Sequence, residues 1–381
     1  MQDAPELLSM TRSRTVRPLV AAWVLVFVIL AAGATWLSLA ANPDATEEGP
    51  ADQPVDSTVA QEHPPQDSPV IIALPDDAPA DHAPSAEKES PVTDPLDAPA
   101  PETGKDSASS GRMALVPAPI DGLIMQGANG PLPVLGPDSL VAWQSYARPH
   151  DMSDTRPKVA IIVTGIGLNS KASDLAITTL PGEVDLGFSP YGRKLQDWMD
   201  KARAHGHEGF LMIPTEPLRY PENDPGPHTL LAGASSRDNL KKLDWLLSQV
   251  TGYVGVINEM GSKFTASEED VQPVIDDLKA RGLMLLDSRS TRFSVAAKLA
   301  RRSTMPRAIN NLYVDNQISS AEITRNLTQL ENTARSMGVA VGVARALPLS
   351  IREIAAWARD LEERGIELVP ITAIANRQPV R

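Results

Sequence analysis

The chain has 381 residues, 42% of them hydrophobic, with 34 prolines, no cysteine and a formal net charge of −13. The absence of cysteine excludes disulfides, thiol catalysis, iron–sulfur clusters and cysteine-ligated zinc. Charge is unevenly placed: three arginines face two acids over residues 1–41, 16 acids face two lysines over 42–111, and 30 acids balance 30 bases over 112–381. The C-terminal part therefore lacks the basic excess that a nucleic-acid partner requires, and none is expected.

After an N-terminal segment, residues 1–18, the chain runs from Leu19 to Ala41 without a charge, close to the roughly 20 apolar positions that cross a bilayer. We read 19–41 as a transmembrane helix. Arg12, Arg14 and Arg17 precede it, which by the positive-inside rule leaves the N-terminus cytoplasmic and the rest outside. A cleaved signal peptide is the rival reading, with small residues at Ala31–Ala34 and Ala40–Ala41, but the apolar run exceeds the usual signal core. Residues 42–111 carry 13 of the 34 prolines among Ala, Asp, Glu and Ser. Such a composition cannot bury a core, so we expect a disordered linker. As a flexible coil it would span roughly 45 Å root mean square.

Residues 112–156 are punctuated by Gly and Pro and read as an extended preamble or hairpin. From Lys158 the pattern changes to alternating apolar runs and amphipathic stretches. Strands are expected at 158–163, 184–188, 209–213, 254–257, 283–286, 311–314, 339–343 and 367–371. Helices are expected between them at 172–180, 193–205, 236–249, 268–281, 295–302, 321–336 and 350–364. The repetition predicts one α/β domain over 157–375 with a mainly parallel sheet, and about eight units favour a distorted (β/α) barrel over an open sheet. Residues 376–381 are left as a C-terminal tail.

Reactive groups in such folds sit at the C-terminal ends of strands. The first strand is followed by Thr164-Gly165-Ile166-Gly167-Leu168-Asn169, which lacks the third glycine of a dinucleotide fingerprint and reads as a tight turn. Later strands end in Glu216, in Asn258-Glu259-Met260-Gly261-Ser262, in Asp287-Ser288-Arg289 and in Asp315. Converging carboxylates could form an acid/base pair or bind a hard cation, or each could cap the following helix or pair with Arg289 or Lys263. Arg289 could equally bind an acidic sugar or neutralise Asp287. Tyr191 and Tyr220 follow strand ends in loops that face the expected cleft and offer faces for sugar stacking. Trp198, Trp245 and Trp357 lie at helical spacing and read as core. His205 and His207 fall between a helix and a strand, on the opposite rim, where a helix C-terminus favours cationic side chains.

The ordered motifs Lys158–Gly167, Leu180-Pro181-Gly182, Gly206-His207-Glu208, Ile213–Pro217, Asn258–Thr265, Leu286-Asp287-Ser288 and Leu368-Val369-Pro370 resemble the divergent polysaccharide deacetylase family over about 156–375. The resemblance implies a distorted barrel of the deacetylase superfamily, exported to the bacterial envelope, some members of which hold a metal for removing acetyl groups from glycans. Relatives with the metal site have an Asp-Asp pair where Thr164 and Gly165 stand here. They have histidines at Met212 and at Glu259, and Gly-His-Pro at Val343-Ala344-Arg345.

From these readings we expect a single-pass protein of the bacterial inner membrane with a periplasmic domain. Its partner would be envelope polysaccharide or peptidoglycan, with Asn258, Ser262, Arg289, Tyr191 and Tyr220 binding the glycan and metal-dependent catalysis lost. No cofactor is expected, and a divalent cation would bind only at a rebuilt site. One alternative is a deacetylase or hydrolase whose chemistry is rebuilt on Glu216, Glu259 and Asp287. Another is a structural protein that binds a protein partner through aromatic residues such as Trp143 and Tyr146.

Overall fold

A computed structural model describes residues 113–151 and 153–380. The expected membrane helix at 19–41 and linker at 42–111 lie outside the described residues. Among the described residues no helix is long and apolar enough to cross a membrane.

The preamble forms a hairpin, β1 (Ile124–Gln126) against β2 (Pro131–Pro133), and a short helix, α1 (Ala142–Ser145). It is packed down. The guanidinium of Arg203 is buried under Tyr146 and donates to the carbonyls of Val116, Tyr146 and Gly252 at 2.8, 3.1 and 3.1 Å. Tyr146 is itself buried, its hydroxyl accepting from the amide of Ile120 at 2.9 Å, and Trp143 packs against the core. Of the two aromatic residues expected there for a protein partner, Tyr146 is therefore internal and Trp143 half-buried.

The chain then alternates strand and helix: β3 (Lys158–Ile166), α2 (Ser170–Thr179), β4 (Asp185–Phe188), α3 (Leu195–Ala204), β5 (Gly209–Thr215), α4 (Ser236–Leu247), β6 (Gly255–Met260), α5 (Glu268–Ala280), β7 (Met284–Asp287) and α6 (Ala296–Arg302). It continues through β8 (Arg307–Ile309), β9 (Leu312–Tyr313), α7 (Ser320–Met337), β10 (Val339–Arg345), α8 (Pro348–Arg359) and β11 (Glu367–Leu368). The strands are continuous apolar runs because helices cover a parallel sheet outside and side chains fill it inside. Val159 to Val163 are all buried completely. Four helices start on a side chain that accepts from their own first turn: Asn169, Ser235, Ser267 and Ser319, each satisfying an otherwise orphaned amide.

All pairings in the large sheet are parallel, in the order β8-β7-β6-β5-β4-β3-β10-β9, with β11 beside the start of β3. The two outermost strands, β8 and β9, are separated in the chain by Asn310 and Asn311 alone. Two residues cannot span a flat sheet of this width, so the sheet curls into a barrel-like form. The strand expected at 311–314 is β9, and β8, which the sequence pattern did not reveal, precedes it on the opposite edge. Asn310 makes the break by donating to Ser288 O at 3.0 Å on one edge and accepting from its own Leu312 amide. Asn311 bonds both ways with Val341 on the other.

The side chain of Gln378, from the expected tail, fills the seam: it exchanges two 2.6 Å bonds with the backbone of Ile309 and donates to Asn311 Oδ1 at 2.8 Å. The strand expected at 367–371 stops at Leu368, before Pro370 and a 3₁₀ turn over Ile371–Ile374.

Candidate functional site

Parallel strands place all their C-terminal ends on one rim, and the residues at the metal-ligand positions of the resemblance do meet there. Gly165 is an extra residue in β3, opposite no residue of β4, with φ of +92°. Such a bulge re-aims the chain next to a site. Its amide donates to the sulfur of Met212 at 3.2 Å, across the intervening strand β4. Thr164 Oγ donates to Ala344 O at 3.0 Å.

Glu259, on β6, is half-buried and has no side-chain hydrogen bond among the described residues. Its surroundings are so poor in polar partners that burial pushes its carboxyl up to about 7. These residues do not fit a catalytic metal. A glycine, a threonine turned to a carbonyl, a thioether and one carboxylate fall short of the usual three oxygen or nitrogen ligands. Among the described residues no group of three His, Asp or Glu could hold an ion.

The other expected site residues are engaged with the frame. Glu216 accepts from Lys263 Nζ and from the amide of Ala232, both at 2.7 Å. Asn258 accepts from the amide of Ser288 at 2.9 Å and donates to Met260 O at 2.9 Å, tying the end of β6 to that of β7. Ser262 Oγ accepts from the amide of Leu218 at 3.0 Å.

Asp287 is buried and accepts from the amide of Arg289 at 2.9 Å, the hydroxyl of Ser294 at 2.9 Å and the amide of Ala297 at 3.3 Å. Burial raises its carboxyl above the usual range, and those three donors pull it back. Asp315 is taken by the amide of Arg345 at 2.9 Å and the hydroxyl of Ser350 at 2.7 Å. Three of the four rim carboxylates thus build loops, and Glu259 alone is unengaged.

Tyr191 stands in the loop after β4 with Glu259 close enough, by charge, to help burial raise its phenol. Its hydroxyl accepts from the amide of His228 at 3.1 Å. His228 in turn stacks on Trp245 at 3.6 Å between centroids, and Tyr191 lies 6.0 Å from Trp245. Nothing in the sequence flagged His228 as part of this cluster, because it comes from a loop and Trp245 from α4. Tyr220, on the turn after β5, is half-buried and makes no side-chain hydrogen bond or ring contact among the described residues.

The opposite pole holds polar groups that sequence reading left aside. Asp185 and Glu208, at the starts of β4 and β5, are both fully buried. Asp185 accepts from the amide of Ile371 at 2.9 Å, and Glu208 from the amide of Arg148 at 2.7 Å and the hydroxyl of Thr372. Burial raises both carboxyls, Asp185 well above its usual range with the charge of Glu208 adding to it. His207, between them in the fold, is buried against the carbonyls of Val184 and Ile177 at 2.7 and 3.1 Å. Burial lowers its pKa, so the cationic side chain expected here is neutral instead.

A family model described as divergent polysaccharide deacetylase matches residues 161–375. Among curated proteins, an uncharacterized protein of Haemophilus influenzae is 26% identical over 218 residues, which is 57% of this chain and 76% of that one. The uncharacterized protein YibQ of Escherichia coli is 22% identical over 224 residues, 58% of this chain and 69% of that one. The crystal structure of an uncharacterized protein of Agrobacterium tumefaciens superposes with a TM-score of 0.63 at 41% identity, covering 64% of this chain and 99% of that one. With the curled parallel sheet, the ordered strand-end motifs and a family match over more than half of its length, the chain belongs to the divergent polysaccharide deacetylase family.

Proposed function

We propose that this protein is a glycan-binding module of the bacterial envelope that has lost metal-dependent deacetylation, held at the inner membrane by residues 19–41 with its domain in the periplasm. The observation that carries this reading is the contact of Gly165 with Met212 at the strand ends. It occupies ligand positions of the metal-bearing relatives with groups that cannot bind a hard cation, while Asn258, Asp287 and Asp315 keep the surrounding loops in place. Loss of ligands with retention of a cleft is what a binding module derived from an enzyme retains. Without a metal to lower its pKa, water is a poor nucleophile at neutral pH.

Sedimentation of the full chain with purified peptidoglycan, together with elemental mass spectrometry after exposure to zinc, manganese, cobalt, nickel and magnesium, tests the proposal. Retention on the glycan with no bound metal supports it. Stoichiometric metal, or no retention, overturns it.

Glu259 supports a second reading. A carboxyl near 7 is poised for general acid or base work, and Tyr191 stands beside it. A hydrolase rebuilt on Glu259 predicts acetyl release from acetylated glycan that is abolished by Glu259→Gln in a folded protein.

A further inference from the structure

Arg289 presents a guanidinium that no hydrogen bond or ion pair engages among the described residues, although its charge still acts on Asp287. From sequence it could have neutralised Asp287, but the carboxylate of Asp287 is taken by the backbone amide of Arg289, by Ser294 and by Ala297. The guanidinium itself is exposed and makes no hydrogen bond or ion pair among the described residues. Its backbone sits at φ +48°, a left-handed conformation that costs a non-glycine residue about 1 kcal/mol and that Gly or Asn would adopt more cheaply. A strained, unpaired cation at a strand end marks a side chain with a task outside the fold.

The rest of the rim has the same sign. Arg292, in the same loop, lies 4.6 Å over Phe293, whose ring is 62% exposed. Across the mouth, the loop after β4 carries exposed Arg193 and Lys194, the latter also left-handed at φ +54°, and neither has an acidic partner among the described residues. Several acids of the rim already have partners. Glu216 is paired with Lys263, Glu222 with Arg219 and Asp315 with Arg345, while Asp224 takes the amide of Gly226. Glu259 is largely protonated below about 7. A domain that is neutral overall thus places Arg289, Arg292, Arg193 and Lys194, none with an ion pair among the described residues, and an exposed aromatic ring at strand ends of one rim.

We propose that this rim selects an anionic saccharide, a sugar chain bearing carboxylate groups, with Arg289 as the specificity-determining cation and Arg292 and Phe293 beside it. The inference rests on the glycan-binding reading above and narrows it to one class of glycan. A guanidinium takes a carboxylate through two parallel hydrogen bonds, and an exposed ring takes the apolar face of a sugar. Charge on the facing loop raises the local concentration of the anion.

The test is equilibrium binding by the full chain in detergent micelles to three probes at low salt and pH 7: hexagalacturonate, N-acetylchitohexaose and poly-glutamate. Hexagalacturonate is expected to bind about tenfold more tightly than the neutral hexamer, with the gap closing as salt is raised. Arg289→Gln should remove most of that gap, and Arg289→Lys should keep at least part of it. Arg289→Gly relieves the backbone strain and should lose the preference while melting no lower than the wild type, which separates lost binding from lost folding.

Equal affinity for both saccharides overturns this inference and leaves the glycan-binding reading standing. An anionic preference that survives Arg289→Gln overturns the assignment to this loop. Binding of poly-glutamate alone, or of nothing, overturns both.

Discussion

The amide of Gly165 donates to the sulfur of Met212 at 3.2 Å, joining the ends of two strands that have β4 between them in the sheet. The contact exists because the sheet curls and the bulge at Gly165 turns β3 inward. The bulge and the curl thus bring together two positions that the resemblance assigns to metal ligands, where this chain has a glycine and a thioether.

Restoring donors should restore an ion. A Cβ at Gly165 meets nothing closer than Leu168 at 4.0 Å, so an aspartate fits sterically and suffers only from φ of +92°, a cost of about 1–2 kcal/mol. Gly165→Asp combined with Met212→His and Glu259→His is expected to retain zinc after desalting where the wild type retains none, read by elemental mass spectrometry. Absence of zinc in the folded triple variant counts against a preserved geometry.

Glu259 should make the domain less stable as pH rises. Its folded pKa of about 7 lies above the unfolded value of 4.5. The folded state thus holds the extra proton between these limits, and stability falls from about pH 4.5 to 7 and then levels off. Glu259→Gln removes that slope and is expected to stabilise the protein at pH 8 by about 1–2 kcal/mol, discounted for the partial exposure of the side chain. Urea unfolding at pH 5 and pH 8 measures it, and parallel losses in both proteins would refute it.

Asp185 and Glu208 act in the same direction at the opposite pole. Both carboxyls are raised by burial, so the stability linked to their protonated forms is present at low pH and declines as pH climbs above the usual carboxylate range. Asp185→Asn keeps a hydrogen-bonding group for the Ile371 amide and removes one charge. It should melt a few degrees higher than the wild type at pH 9, with a smaller difference at pH 4. A melting temperature lowered at both pH values would show that the pair is ionised and paired otherwise.

Arg203 fastens the preamble to the barrel. Its removal leaves the carbonyls of Val116, Tyr146 and Gly252 without their donor, a loss of about 3 kcal/mol or more for a buried charged group with several bonds. Arg203→Met should lower the unfolding free energy read from urea titration by that amount and expose residues 113–151 to limited proteolysis. Unchanged cleavage in that segment would mean that it is held by its apolar contacts alone.

The order of strands and helices from Lys158 to Leu368, apart from β8, and the parallel sheet were legible in the sequence. They depend on near neighbours: apolar runs such as Val159–Val163, helix starts at Ser235, Ser267 and Ser319, and glycines at tight turns. The family motifs were legible for the same reason, since each is a short local run.

Contacts distant along the chain decided the rest. Closure of the sheet runs through Gln378 and Asn311, 67 residues apart. The Arg289 guanidinium makes no ion pair because the Asp287 carboxylate is turned to the Arg289 amide, Ser294 and Ala297. Glu259 is raised because three dimensions strip polar partners from a side chain whose sequence neighbours, Asn258 and Ser262, are both polar. Local pattern determines which element a residue enters, because backbone conformation is governed by the nearest few residues. Protonation, pairing and free charge are fixed only when packing settles which groups share a desolvated space.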